Sequence, residues 1–138
     1  MTSYPMTTTQ PCPRYQNLGK YGYYLEHLNI ILGGYQRIVD DTFLPLNKRI
    51  TAHLPQASLG QENCHAPLLP HVKMRWSADQ AAIIYSIWLY DQNNGTSLCE
   101  PLREKWLAYM REHATHADTG LFVTEVMGTQ PYSKQPRG

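Results

Sequence analysis

Between residues 21 and 39 the apolar side chains fall at Tyr21, Leu25, Leu28, Leu32, Tyr35 and Val39, at intervals of four, three, four, three and four. That repeat places all six on one face of a helix and leaves Lys20, Glu26, Gln36 and Asp40 off it. Two adjacent glycines, Gly33 and Gly34, interrupt the run. The competing pattern is a β-hairpin that turns at Gly-Gly. It alternates well over Leu28, Ile30 and Leu32 but sets Arg37 on the same face as Tyr35 and Val39. The heptad fits all six positions, so a long first helix is expected. Each glycine weakens it by about 1 kcal/mol relative to Ala, which points to a kink or to the close approach of another backbone. A phosphate-cradling loop is the weakest of the three readings, because neither GxxxxGK[ST] nor GxGxxG occurs in the chain.

The helix ends or bends before Pro45, since the residue before a proline avoids the helical region. A short second helix is expected through 47–54. Residues 55–76 hold Pro55, Pro67, Pro70 and Gly60 and read as a long loop, a length often tied to function. Ser77-Ala-Asp-Gln80 spells a capping box, and the helix it opens, AAIIYSIWLYDQ, is apolar nearly all round. Such a helix is buried on most sides or lies in an interface. Asn93-Asn94-Gly95 stops it. Ser97-Leu-Cys-Glu100 spells a second capping box, although Pro101 moves the expected start toward Cys99. The helix that follows carries Leu102, Trp106, Tyr109, Met110 and His113 on one stripe. Residues 121–127, LFVTEVM, read as one strand or extended arm. The expected fold is therefore mainly α: a small helical bundle with a long kinked first helix, a proline-rich loop, two capped helices and a short C-terminal extended segment. It comprises a flexible arm over 1–14, one helical domain over 15–127 and a flexible tail over 128–138.

Composition narrows the function. Apolar residues make up 42 % of the chain and charged residues 17 %, and the formal net charge is +1. The longest basic run is Lys48-Arg49, too little for a chain that grips phosphate backbones along a stripe. Fifteen aromatic residues, ten of them tyrosine, suit interfaces as well as cores. Cys12, Cys64 and Cys99 are odd in number and form no CxxC, and the first residues lack the apolar stretch of a signal peptide. A cytoplasmic protein with reduced thiols and no membrane span is the expectation.

Chemistry is thinly signposted. His53, Cys64, His65, His71, His113 and His116 are zinc-type ligands but lack the spacing of any standard site. Cys99, near a helix start, is the one cysteine whose thiol pKa the backbone N–H groups could lower. GxSxG and HExxH are absent and no enzyme activity or cofactor is expected. The order of elements over 77–127 admits a winged-helix variant, with Arg37, Lys48, Arg49, Lys73 and Arg75 as the nucleic-acid contacts. The leading expectation is a small non-enzymatic intracellular binding protein. It would act through helix faces and form a homodimer or bind a protein partner, anchored by Tyr24, Leu28, Tyr35, Trp76 and Trp106. DNA or RNA binding is the first alternative and His/Cys metal binding the second.

Overall fold

The computed structural model describes residues 17–69, 71–127 and 130–131. The arm expected over 1–14 and nearly all of the tail expected over 128–138 lie outside the described residues. After a short 3-10 turn at Leu18–Lys20, the chain forms α1 (Gly22–Ile38), α2 (Leu44–Leu59), β1 (Met74–Trp76), α3 (Ser77–Asn94), α4 (Cys99–His113), β2 (Glu125–Met127) and β3 (Gln130–Pro131). The protein is mainly helical.

The glycine pair lies within α1, which continues through both residues; there is no hairpin. Gly33 is where a neighbour approaches: a Cβ there would sit 2.9 Å from Leu89 Cδ2 on α3. A Cβ on Gly34 would meet nothing within 4 Å. The heptad face is only partly internal. Leu25 and Leu32 are buried in the core and Leu28 packs against it, whereas Tyr21 and Val39 at the two ends are exposed.

The second helix is longer than expected in both directions. It begins at Leu44 with Pro45 in its first turn, where a missing N–H costs no helical bond. It runs through Pro55, so the expected loop starts only after Leu59. What remains of that loop is fastened at several points. Gln80 Oε1 accepts the Ala66 N–H at 2.9 Å, and Gln80 Nε2 donates to Ser58 Oγ at 3.1 Å. The Tyr23 N–H donates to the Leu68 carbonyl at 3.2 Å. Only a glycine fits at position 22, because a Cβ would lie 2.4 Å from the Pro67 carbonyl oxygen.

Neither expected capping box forms. Ser77 is the first helical residue, and its hydroxyl donates to the Val123 carbonyl at 2.9 Å, tying α3 to the segment before β2. Gln80 is spent on the loop. At the other end Gly95 adopts the left-handed conformation, φ 67°, and stops α3 where the sequence placed the stop. The start of α4 is capped from α3. Buried Asp91 accepts the Leu98 N–H at 3.0 Å and the Cys99 N–H at 2.8 Å, and the Thr96 hydroxyl as well.

The core joins Leu25, Leu32, Ile50, Leu54, Ile83, Ile87, Leu102 and Met110, from all four helices. A fully buried polar cluster crosses it. Asn29 Nδ2 lies 3.0 Å from both Thr51 Oγ1 and Ser86 Oγ, and Asn47 Nδ2 donates to Asn29 Oδ1 at 2.7 Å. This fixes the register of α1, α2 and α3 against one another. The antiparallel sheet β1-β2-β3 covers one end, with Arg75 opposite Val126 and Val126 opposite Pro131.

Candidate functional site

Two surface features stand out. The first is a second seam on α1. Tyr24, Leu28, Ile31, Tyr35 and Ile38 follow the same four-three spacing, rotated outward from the core face. Leu28 and Tyr35 are half-buried, while Tyr24 is 42 %, Ile31 66 % and Ile38 83 % exposed. No charged residue lies in this seam, and exposed Val39 and Phe43 extend it around the turn into α2. Phe43 meets Tyr35 edge-on, with ring centroids 4.9 Å apart. On α3, Tyr85 and Trp88 are also exposed and stack at 5.6 Å, which matches the surplus apolar surface read from that helix.

The second feature is a cavity of about 380 Å³ where α1, the start of α3 and the sheet meet, lined by Tyr23, Leu69, Trp76, Ala78, Asp79 and Thr124. One turn along α1 from Tyr23, on the side turned to α3, is Glu26. Its side chain is wholly buried, and among the described residues no group hydrogen-bonds either carboxyl oxygen. His27 Nδ1 lies 3.2 Å from it but also 3.0 Å from the Tyr23 carbonyl, an alternative partner for its N–H. Burial, reinforced by the charge of nearby Asp79, pushes the Glu26 pKa up to about 8. Burial raises Asp79 as well. Sequence reading passed over Glu26 as a solvated position beside the heptad face; nothing local to it signals burial.

The expected partner anchors divide between these places. Tyr24, Leu28 and Tyr35 belong to the outer seam of α1. Trp76 lines the cavity. Trp106 is in the core, only 7 % exposed, with its indole N–H 3.3 Å from His65 Nε2.

The basic residues do not gather. Arg37, Lys48 and Arg49 flank the α1–α2 turn, while Lys73 and Arg75 lie beside the sheet, before the first turn of α3. Gln36 meets Asn94 at the far end of α3, so the two groups are separated by about 25 Å of helix. The Arg75 guanidinium is turned back onto the Val72 and Met74 carbonyls. The two helices read as a winged-helix pair touch at Ser77 with Met110 and at Ile84, midway along α3, with Cys99 at the start of α4.

The six metal candidates also stay apart. Among the described residues no three His, Cys, Asp or Glu side chains are placed to hold an ion. His65 is committed to the core: Nδ1 lies 2.6 Å from the Asn63 carbonyl and Nε2 accepts from Trp106, which defines a neutral ring protonated at Nδ1. Burial drives its pKa down to about 4. Cys99 corrects the thiol expectation. Burial and the Asp91 carboxylate push it up to about 11, the reverse of an activated thiolate. Burial raises Cys64 too.

No protein-family model matches the chain, and neither the curated proteins nor the solved structures contain a match to it. Among the described residues no helix is long and apolar enough to cross a membrane.

Proposed function

We propose that this chain is a non-enzymatic binding protein that works through a helix face, and that the outer seam of α1 pairs with the same seam of a second copy. The observation that carries this reading is the run Tyr24, Leu28, Ile31, Tyr35 and Ile38, a charge-free four-three repeat with three of its five members exposed. Water-exposed isoleucines at that spacing are what a facing helix covers. The lack of charge favours self-pairing. In a two-fold dimer a patch meets its own copy, so a patch rich in one sign would repel itself; this one has nothing to repel. Tyr24 and Tyr35 supply rigid aromatic area of the kind that concentrates binding energy.

The seam spans 15 residues, Tyr24 to Ile38, about 21 Å of helix. That is two heptads, so the dimer is expected to be weak and concentration-dependent. The test is the solution mass by light scattering across a dilution series, for the native chain and for Ile31→Asp and Ile38→Asp. Both positions are exposed in the single chain, so the substitutions leave the fold intact and shift the mass to that of a monomer. A native chain that stays monomeric at every concentration, or a dimer indifferent to both substitutions, refutes the reading.

A further inference from the structure

The outer seam of α1 contains two holes of the kind a facing helix fills, each outlined by four residues at i, i+3, i+4 and i+7. The first is Tyr24, His27, Leu28 and Ile31, and the second is Ile31, Gly34, Tyr35 and Ile38. His27 occupies one corner of the first hole. The matching corner of the second is Gly34, so the second hole is the deeper. Gly34 lies inside a helix, where glycine is the poorest residue after proline. Nothing within the described chain requires it there. Its φ is not positive, and a Cβ would meet nothing within 4 Å. Gly33 is accounted for by Leu89 of α3, but Gly34 has no such neighbour. The room it leaves opens onto the face that a second copy would cover. The seam also carries the side chain to fill it. Tyr24 is 42 % exposed, whereas Tyr35 is half-buried and meets Phe43 edge-on. The register that brings Tyr24 of one copy over the second hole of the other is antiparallel. It sets Tyr24 opposite Tyr35, Leu28 opposite Ile31 and Tyr21 opposite Ile38, so every residue of the seam faces an apolar or aromatic partner. It also lays helix ends of opposite polarity side by side. A parallel pair would drive Tyr35 against its own copy instead.

We propose, resting on the self-pairing read above, that the two copies of α1 run antiparallel and that Tyr24 of each fills the notch at Gly34 of the other. The contact then occurs twice about the two-fold axis, because an isologous interface repeats every pair. Gly34 lowers the stability of the single chain and sets the fit of the pair.

A double-mutant cycle on the dimer dissociation constant, measured by sedimentation across a dilution series of the full chain, tests this. Gly34→Leu fills the notch and is expected to weaken the dimer about tenfold or more. Its added apolar area alone would tighten the dimer, so the sign is diagnostic. Tyr24→Ala is expected to weaken the dimer by a similar factor. The double variant is expected to form a dimer no weaker than that of Gly34→Leu alone, because the truncated side chain at 24 leaves room at 34. Melting of the dilute chains checks the fold, and Gly34→Leu is expected to melt no lower than the native chain. Losses that multiply in the double variant, or a Gly34→Leu dimer as tight as the native one, overturn the proposal. If Ile31→Asp and Ile38→Asp still dissolve that dimer, the seam stands and only the notch fails. A Gly34→Leu chain that melts well below the native one places position 34 inside the fold and overturns the proposal as well. A native chain that is monomeric at every concentration overturns both the notch and the seam.

Discussion

The neighbouring glycines Gly33 and Gly34 have opposite reasons for lacking a side chain. Gly34→Ala adds a methyl group into open space and removes backbone freedom from the unfolded chain, so thermal melting of the dilute protein should show a gain of about 0.5–1 kcal/mol. Gly33→Ala gains the same entropy but presses on Leu89, and the gain should shrink to nothing or reverse. Glu26 and His65 carry the pH dependence, with opposite signs. Glu26 titrates near 4.5 when unfolded and near 8 when folded. Between those values the folded state holds a proton that the unfolded state has lost, so stability falls as pH rises through this window. His65 titrates near 6.5 unfolded and near 4 folded; there the unfolded state holds the extra proton, and stability falls as pH drops from 6.5 toward 4. The two slopes oppose each other between pH 4.5 and 6.5, and from 6.5 to 8 only the Glu26 loss remains. Glu26→Gln should therefore add about 3 kcal/mol at neutral pH and almost nothing near pH 4, measured by denaturant titration at each pH.

At the scale of elements, the join between α3 and α4 depends on one carboxylate reaching across it. Asp91→Ala removes the acceptor for the Leu98 and Cys99 N–H groups and should lower stability by about 2 kcal/mol in denaturant melts. Ser97→Ala, which a capping box would make costly, should stay within about 0.5 kcal/mol of the native chain. The contrast marks how far the sequence could be read. Apolar spacing made α1 legible through two glycines, and Gly95 and Pro101 placed the end of α3 and the start of α4, because these signals are local in origin. Ser77, Gln80 and Ser97 stand at capping positions, but their local pattern did not decide their bonds. Ser77 turns to Val123 and Gln80 to Ala66, both brought near only by folding. Pro55 read as a loop because a lone proline breaks an isolated helix; the core packing of Ile50, Leu54 and Ser58 around it carries α2 past that residue. The burial of Glu26 was illegible for the same reason, since it is set by α3, more than fifty residues away.

For the whole molecule, charge is unevenly shared. The outward side of α4 carries Glu100, Arg103, Glu104, Lys105, Arg111 and Glu112, while the outward seam of α1 has no charge at all. A net charge of +1 therefore averages a solvated face with an uncharged one, and raising salt should leave the mass of a dimer through α1 unchanged or slightly higher. The bond from the Ala66 N–H to Gln80 has a consequence of its own. That amide belongs to an irregular loop with no ladder or helix to protect it, yet its acceptor is buried on α3 and is held in turn by Ser58 of α2. Exchange with solvent deuterium at Ala66 then requires α3 to part from α2, an opening close to global unfolding. One loop amide should exchange as slowly as the centres of the helices and report the cooperative unit to which all three segments belong.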